Sequence, residues 1–281
     1  MLKPVADIDR GIDYVTLTYK SEHGQSRVAN LIHKLQREEV SSGNFACDWA
    51  MSGYAGHRAG GLEWGARHDG AIVRLSGVTA AMWWKRFGKL ASNCSRIDLQ
   101  QTMIFDEDPS VTIGRHFKEL RREWSKHKRW PEPKLFVGPR GPETVYSGQR
   151  TSDVWLRIYH RGSRKGCEHQ QGHVRYEAEI KGKLAWSTLQ QLLELRDADN
   201  AAAGSCLKLT RTRGCRLWLT RDCPALLMER PKPHTTAQKR LRWLATAVRP
   251  SVEELIESGY HVEVLKALGL SFPATLDHTD D

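Results

Sequence analysis

Two short stretches of this chain carry side chains that would meet on one surface if the backbone is extended. The first runs Glu143-Thr144-Val145-Tyr146-Ser147-Gly148-Gln149-Arg150-Thr151-Ser152-Asp153-Val154-Trp155-Leu156-Arg157-Ile158-Tyr159; the second is Arg175-Tyr176-Glu177-Ala178-Glu179-Ile180-Lys181. Alternate residues of a strand share a face, so Trp155, Arg157 and Tyr159 point one way while Val154, Leu156 and Ile158 point the other. The same rule puts Arg175, Glu177, Glu179 and Lys181 together. If the two strands pair, an arginine, a tyrosine and two carboxylates converge. A third strand-like run, Arg96-Ile97-Asp98-Leu99, aims Arg96 and Asp98 in one direction and offers another carboxylate.

A carboxylate cluster suits a hard divalent cation such as Mg²⁺ or Mn²⁺, which polarises a phosphodiester oxygen and offsets charge in the transition state. A tyrosine oxygen is a weak nucleophile at its ordinary pKa of about 10 and needs a polarised phosphate, a cation or a base to attack near neutrality. Arg157, two residues before Tyr159 on the same face, is placed to bind the scissile phosphate or the phenolate. Structural alternatives stand beside these readings. Tyr159 can be a strand aromatic covering the core, Glu177 and Glu179 a solvated face, and Asp98 a partner for Arg96. Tyr146 is a rival nucleophile, but its place just before Gly148 suits strand-end packing. Cys167, His169 and His173 have no fourth ligand nearby and read as an incidental loop rather than a zinc site.

Alternating residues predict strands over 12–19, 71–76, 95–105, 134–137, 143–147, 153–160 and 173–181. Helical spacing predicts helices over 28–40, 79–90, 111–126 and 184–196, and a Gly-rich patch fills 53–65. Groups of strands with helices between them give an α+β fold with a largely antiparallel sheet. The element order repeats without sequence similarity, which admits two fused similar halves. A loop over 197–204 precedes β-like runs at 206–211 and 215–219. Beyond Pro231-Lys232-Pro233 lies a basic helical tail over 236–248 with an apolar stripe of Leu241, Leu244, Ala245 and Val248. Pro250-Ser251 restarts a helix, with Ser251 and Glu254 in the form of a capping box, and residues 275–281 read as a frayed end.

The chain's 281 residues, 40% hydrophobic and 27% charged, are enough to bury one large core or two modest ones. A net charge of +10, from 43 basic and 33 acidic residues, favours a polyanionic partner, with nucleic acid first. The basic helices at 115–129 and 236–249 are the candidates for phosphate contact. The six cysteines, at 47, 94, 167, 206, 215 and 223, form no Cys-x-x-Cys pair, so free thiols in a reducing compartment are expected. No apolar run reaches the roughly 18 residues of a membrane span, and the first residues meet charge before any signal-peptide core. A soluble cytoplasmic protein is the expectation.

The segment Tyr146-x-Gly148-x-Arg150-x-Ser152, then Arg157-Ile158-Tyr159, then Arg175-x-Glu177-x-Glu179-x-Lys181 resembles the transesterifying replication initiators of staphylococcal-type rolling-circle plasmids and filamentous phages. Arg96-x-Asp98, Asp13-Tyr14-Val15-Thr16-Leu17-Thr18 and the tail from Leu241 to Pro250 resemble the same family, so the likeness touches residues 11–270. It implies that Tyr159 is the nucleophile, Arg157 its phosphate partner, and Asp98, Glu177 and Glu179 the ligands of Mg²⁺ or Mn²⁺. Arg96, Arg150, Ser152, Arg161, Arg175 and Lys181 are then DNA contacts. His160-Arg161 and Thr102 depart from the family pattern, the latter standing where some plasmid relatives have a second aspartate. The resemblance further implies nicking of single-stranded or supercoiled origin DNA, a 5′-phosphotyrosyl link and a 3′-OH for a host polymerase. It also implies later strand rejoining, a host helicase as partner, and a homodimer as one assembly. A conjugative relaxase or a non-cleaving DNA-binding protein on the same scaffold are the alternatives. The expected division is a nicking and joining domain over 11–204 and a C-terminal extension over 205–281 with a basic helical tail.

Overall fold

The computed structural model describes residues 4–20, 22–39, 48–51, 54–59, 61–67, 70–139, 141–216, 225–226, 241 and 243–267. The chain divides into a unit Met1–Arg230 and a unit Pro231–Asp281. The first is built on a single antiparallel sheet with helices laid against one face, the expected α+β class. In chain order its elements are β1 (Ala6–Lys20), α1 (Glu22–Glu39), β2 (Asp48–Met51), β3 (Tyr54–Ala59), β4 (Leu62–Arg67), β5 (Gly70–Ser76) and α2 (Gly77–Gly88). There follow β6 (Asn93–Ile104), α3 (Pro109–His127), β7 (Lys134–Gly138), β8 (Gly141–Ser147), β9 (Val154–His160), β10 (His173–Lys181), α4 (Gly182–Glu194) and α5 (Ala198–Thr212).

The sheet order is β2-β3-β4-β5-β1-β6-β10-β9-β8-β7. It is a palindrome of two five-stranded halves, each running strand, helix, four strands, helix, with their first strands β1 and β6 side by side. This is the arrangement that a two-fold axis between β1 and β6 produces, so the repeated element order is a repeated architecture. The junctions agree. β5 passes directly into α2 through Ser76 and Gly77, and β10 into α4 through Lys181 and Gly182, with φ of +56° and +60° at the two glycines. An L-residue pays for that left-handed backbone, and glycine does not.

Period-two alternation decides which side is buried. Ile97 and Leu99 of β6, Val174, Tyr176, Ala178 and Ile180 of β10, and Leu156 and Ile158 of β9 belong to one core with residues of α1 to α5. The segment expected as a loop over 197–204 and a β-like run over 206–211 is instead helix α5, so the expected boundary at 204/205 falls inside a helix. Asp197 caps it by accepting the Asn200 N–H at 3.3 Å. Its small residues Ala201, Ala202 and Cys206 let it lie close on the central strands. Ser205 and Thr210 are buried but donate back to the carbonyls of Ala201 and Cys206, at 2.6 and 2.9 Å. The Gly-rich patch holds strands β3 and β4.

Residues 217–219 of the second expected β-like run and residues 236–240 of the basic tail lie outside the described residues, as does the frayed end expected over 275–281. In the second unit a π-helical turn, Leu244–Val248, continues into α6 (Arg249–Glu257), followed by α7 (His261–Ala267). The capping box at Ser251 is not formed, because the helix has already begun at Arg249 and Ser251 lies within it. Leu241 and Leu244 are exposed, so the expected apolar stripe is not buried at these positions. No helix among the described residues is long and apolar enough to cross a membrane.

Open space surrounds the Cα of both junction glycines, so the cost of a methyl group there is backbone strain alone. Gly77→Ala and Gly182→Ala should each lower stability by about 1–2 kcal/mol, measured by urea unfolding. A penalty at one junction and none at the other would show that the two turns are not equivalent.

Candidate active site

The face of the sheet opposite the core carries the polar residues singled out from the sequence. β10 lies between β6 and β9, with Glu179 opposite Asp98, Glu177 opposite both Gln100 and Arg157, and Arg175 opposite Thr102 and Tyr159. The expected pairing of the two motif strands is therefore present. Asp98, Glu177 and Glu179 are all at most 3% exposed, although no core surrounds them. Buried carboxylates require compensation, and arginines supply it. Arg96 grips Asp98 with two hydrogen bonds, Nε to Oδ1 at 2.8 Å and Nη2 to Oδ2 at 2.5 Å, and its Nη2 stands 2.8 Å from Glu179 Oε2. Arg157 donates through Nη2 to Glu177 Oε1 and reaches Asp98 Oδ2 at 3.5 Å. Lys181 Nζ sits 2.7 Å from Glu179 Oε1 and donates to the Arg150 carbonyl.

Two groups in this cluster are buried without hydrogen-bond partners: Nε of Arg157, a donor, and both carboxylate oxygens of Glu179, whose ion pairs lack hydrogen-bond alignment. Burial pushes the Asp98 carboxyl up to about 8, with Glu177 and Glu179 adding to the rise and Arg96 opposing it. Tyr159 is buried but is not part of the main hydrophobic cluster. The Arg164 guanidinium lies over its ring, 4.6 Å from the centroid. Burial, followed by Glu177, pushes its phenol up to about 12, while Arg175 and Arg164 pull it down.

The remaining sequence candidates fall in different places. Arg175 is buried and bonded to Thr102 Oγ1 at 3.1 Å, Asp13 Oδ1 at 2.9 Å and Asp9 Oδ2 at 2.6 Å, a structural cross-tie between β10 and β1. A register shift between Ile12 and Tyr14 makes this tie, because it turns Asp13 and Tyr14 to the same face. Arg150 is exposed near Trp155, Ser152 is half-buried with its N–H on the Gln149 carbonyl, and Arg161 is bonded to Gln170. Tyr14 is a site-face residue within a motif quoted from the sequence, but one to which no role was given. It stands opposite Asp98 with the Arg96 guanidinium 4.2 Å above its ring.

The other half of the sheet offers an internal comparison. Aligning Ser76–Gly77 with Lys181–Gly182 matches Thr16 to Asp98, Ile72 to Glu177, Arg74 to Glu179 and Gly65 to Arg157. The repeated backbone thus carries none of these carboxylates, and the reactive cluster is confined to the second half.

In chemistry, three carboxylates suit a hard divalent cation, and the Glu179 oxygens, ion-paired to Arg96 and Lys181 but without a hydrogen bond, are the observation that favours one. Their oxygens are nevertheless held apart by the guanidinium groups between them. Among the described residues, the metal-capable side chains whose ligand atoms lie within 4.8 Å of one another are His116, Glu119 and Cys215. That group sits on the helical side. His116 Nε2 bonds the Tyr176 hydroxyl at 2.8 Å, its Nδ1 meets Glu119 Oε2 at 3.1 Å, and Glu119 also accepts the Arg216 N–H at 2.9 Å. Its nitrogen, oxygen and sulfur donors suit a borderline ion such as Zn²⁺ rather than Mg²⁺, but the His116 and Glu119 donors already have partners.

The structure is similar to that of a rolling circle replication initiator protein from Geobacillus stearothermophilus. The TM-score is 0.49 and the identity 16%, over 83% of this chain and 94% of that one. No family model matches the sequence, and no similar sequence stands among curated proteins.

Tyr176 points away from the carboxylates into the core, and His116 depends on its hydroxyl. Tyr176→Phe should therefore cost about 1–3 kcal/mol of stability by leaving a buried ring nitrogen unpaired. Urea unfolding reads the loss, and a neutral result would mean that His116 finds another partner.

Proposed function

We propose that this protein nicks one strand of DNA through Tyr159 and later rejoins it, as the initiator of rolling-circle replication of a phage or plasmid-like element. The observation that carries this reading is the unpartnered Nε donor of Arg157, on the same face as Tyr159 and beside Glu177 and Asp98. A phosphodiester oxygen is the natural acceptor for such a donor, since charge-assisted bonds from arginine to phosphate are among the stronger ones available to a side chain.

In the reaction, the Tyr159 oxygen forms a bond to phosphorus as the bond from phosphorus to the 3′ oxygen breaks. The phenolic proton ends on the leaving oxygen. The products are a 5′-phosphotyrosyl link and a 3′-OH that can prime a host polymerase, and the reverse transfer reseals the strand. Because burial raises the phenol well above neutrality, the proton leaves as the bond forms. Arg164 and Arg175 favour the phenolate, and Arg157 orients the phosphate. Bound to Asp98, Glu177 and Glu179, Mg²⁺ or Mn²⁺ would polarise the phosphate and cancel the Glu177 charge that opposes ionisation. Origin DNA is the partner this implies, with a host helicase to open the duplex.

The decisive assay incubates the protein with labelled single-stranded DNA and Mn²⁺, then measures label retained on denatured protein. The expected result is a cation-dependent adduct absent from Tyr159→Phe. DNA binding without adduct across origin-spanning substrates would overturn nicking and leave a non-cleaving DNA-binding protein.

The cation has a test of its own that does not depend on activity. Mn²⁺ at a hundredfold excess over its Kd should stabilise the fold by about 2.7 kcal/mol. Thermal unfolding should register this for the natural protein and not for Glu179→Gln; an equal shift in both would place the ion elsewhere.

A further inference from the structure

Beside Arg157, on the face away from the core, two aromatic rings lie parallel. Tyr146 of β8 and Trp155 of β9 have centroids 5.1 Å apart and planes within 3° of parallel. Both are half-buried, and neither belongs to the hydrophobic core, so packing does not explain them. Their surroundings are cationic: Arg157 and Arg150 stand 5.0 and 5.8 Å from the Trp155 ring centroid. Tyr146, Arg157 and Glu177 also form one cross-strand row over β8, β9 and β10, which connects the stack to the carboxylate cluster.

We infer that Tyr146 and Trp155 form a stacking subsite for a nucleobase of single-stranded DNA. This rests on the nicking reading for its substrate class. Nucleobases have extended π-faces and are bound by aromatic side chains with little regard to sequence, while arginines nearby take the phosphates. An isolated aromatic peptide side chain would use the same rings but has no need of the cations. Tyr146 is a positioning residue here rather than a second nucleophile. Base stacking two strands from Glu177 would fix where along the strand the scissile phosphate falls, giving the cut its register on DNA.

The test uses the full chain and a short single-stranded oligonucleotide carrying 2-aminopurine at successive positions, with EDTA present so that no cutting occurs. One position should be quenched on binding. Trp155→Ala and Tyr146→Ala should abolish that quench and weaken binding by between about fivefold and 150-fold, whereas Trp155→Phe and Tyr146→Phe should restore much of both. The aromatic variants should leave the salt dependence of binding unchanged, while Arg150→Ala should lower its slope by about 0.7. Removing the base at the quenched position should erase the difference between natural and alanine proteins. The subsite is overturned if no position is quenched although the oligonucleotide binds, or if the alanine variants lose the same affinity for abasic DNA. Failure of the natural protein to bind any single strand overturns the nicking reading itself, and an adduct in the separate Mn²⁺ assay together with no quench in EDTA overturns the subsite alone.

Discussion

Three carboxylates brought out of water on adjacent strands are tenable only while positive charge is brought with them. Asp98, Glu177 and Glu179 are held by Arg96, Arg157 and Lys181, and this exchange of partners ties β6, β9 and β10 together across the polar face. The penalty for leaving one such charge unpaired in a buried site is several kcal/mol, so the cluster constrains every side chain within it. Its opposite surface, formed by the alternate residues of the same strands, is the core. A shift of one residue in β10 would place Tyr176 and Ala178 on the polar face beside Asp98 and both Glu177 and Glu179 in the hydrocarbon, which is why the register is so strongly specified.

The same arrangement explains how a stable scaffold can hold reactive groups. Helices α3, α4 and α5 cover the core side of β6, β9 and β10, and the strand-to-helix junction at Gly182 leaves no intervening loop. Arg157 is thereby committed to two carboxylates while keeping one buried donor unused, and Tyr159 sits at the end of the same face with Arg164 across its ring. The arginines that make the cluster stable without a ligand are those a phosphate would engage.

Much of this was legible in the sequence because a strand's period is two. The alternation in Val154–Tyr159 and Arg175–Lys181 separated the polar face from the core without any knowledge of topology. The partners of Arg175 were not legible, because Asp9 and Asp13 are more than 160 residues away in the chain and the register shift in β1 is invisible to alternation. Helix α5 was misread because its apolar residues are small and its hydroxyls satisfy themselves within the helix, so the usual large-residue stripe is missing. The Tyr146–Trp155 stack needs β8 beside β9, a pairing the short connection suggests but the face contact does not reveal.

The palindromic sheet has a consequence for what one chain can do. An assembly of identical subunits about a two-fold axis must present each of its surfaces twice, and any change to one is a change to both. Tandem halves within a single polypeptide escape that obligation, since Thr16, Ile72, Arg74 and Gly65 vary independently of Asp98, Glu177, Glu179 and Arg157. The chain keeps the mechanical benefit of symmetry, a broad sheet with matched helical supports, while concentrating its buried charge on one side of the axis. Such a molecule is symmetric as a frame and asymmetric in the chemistry it carries.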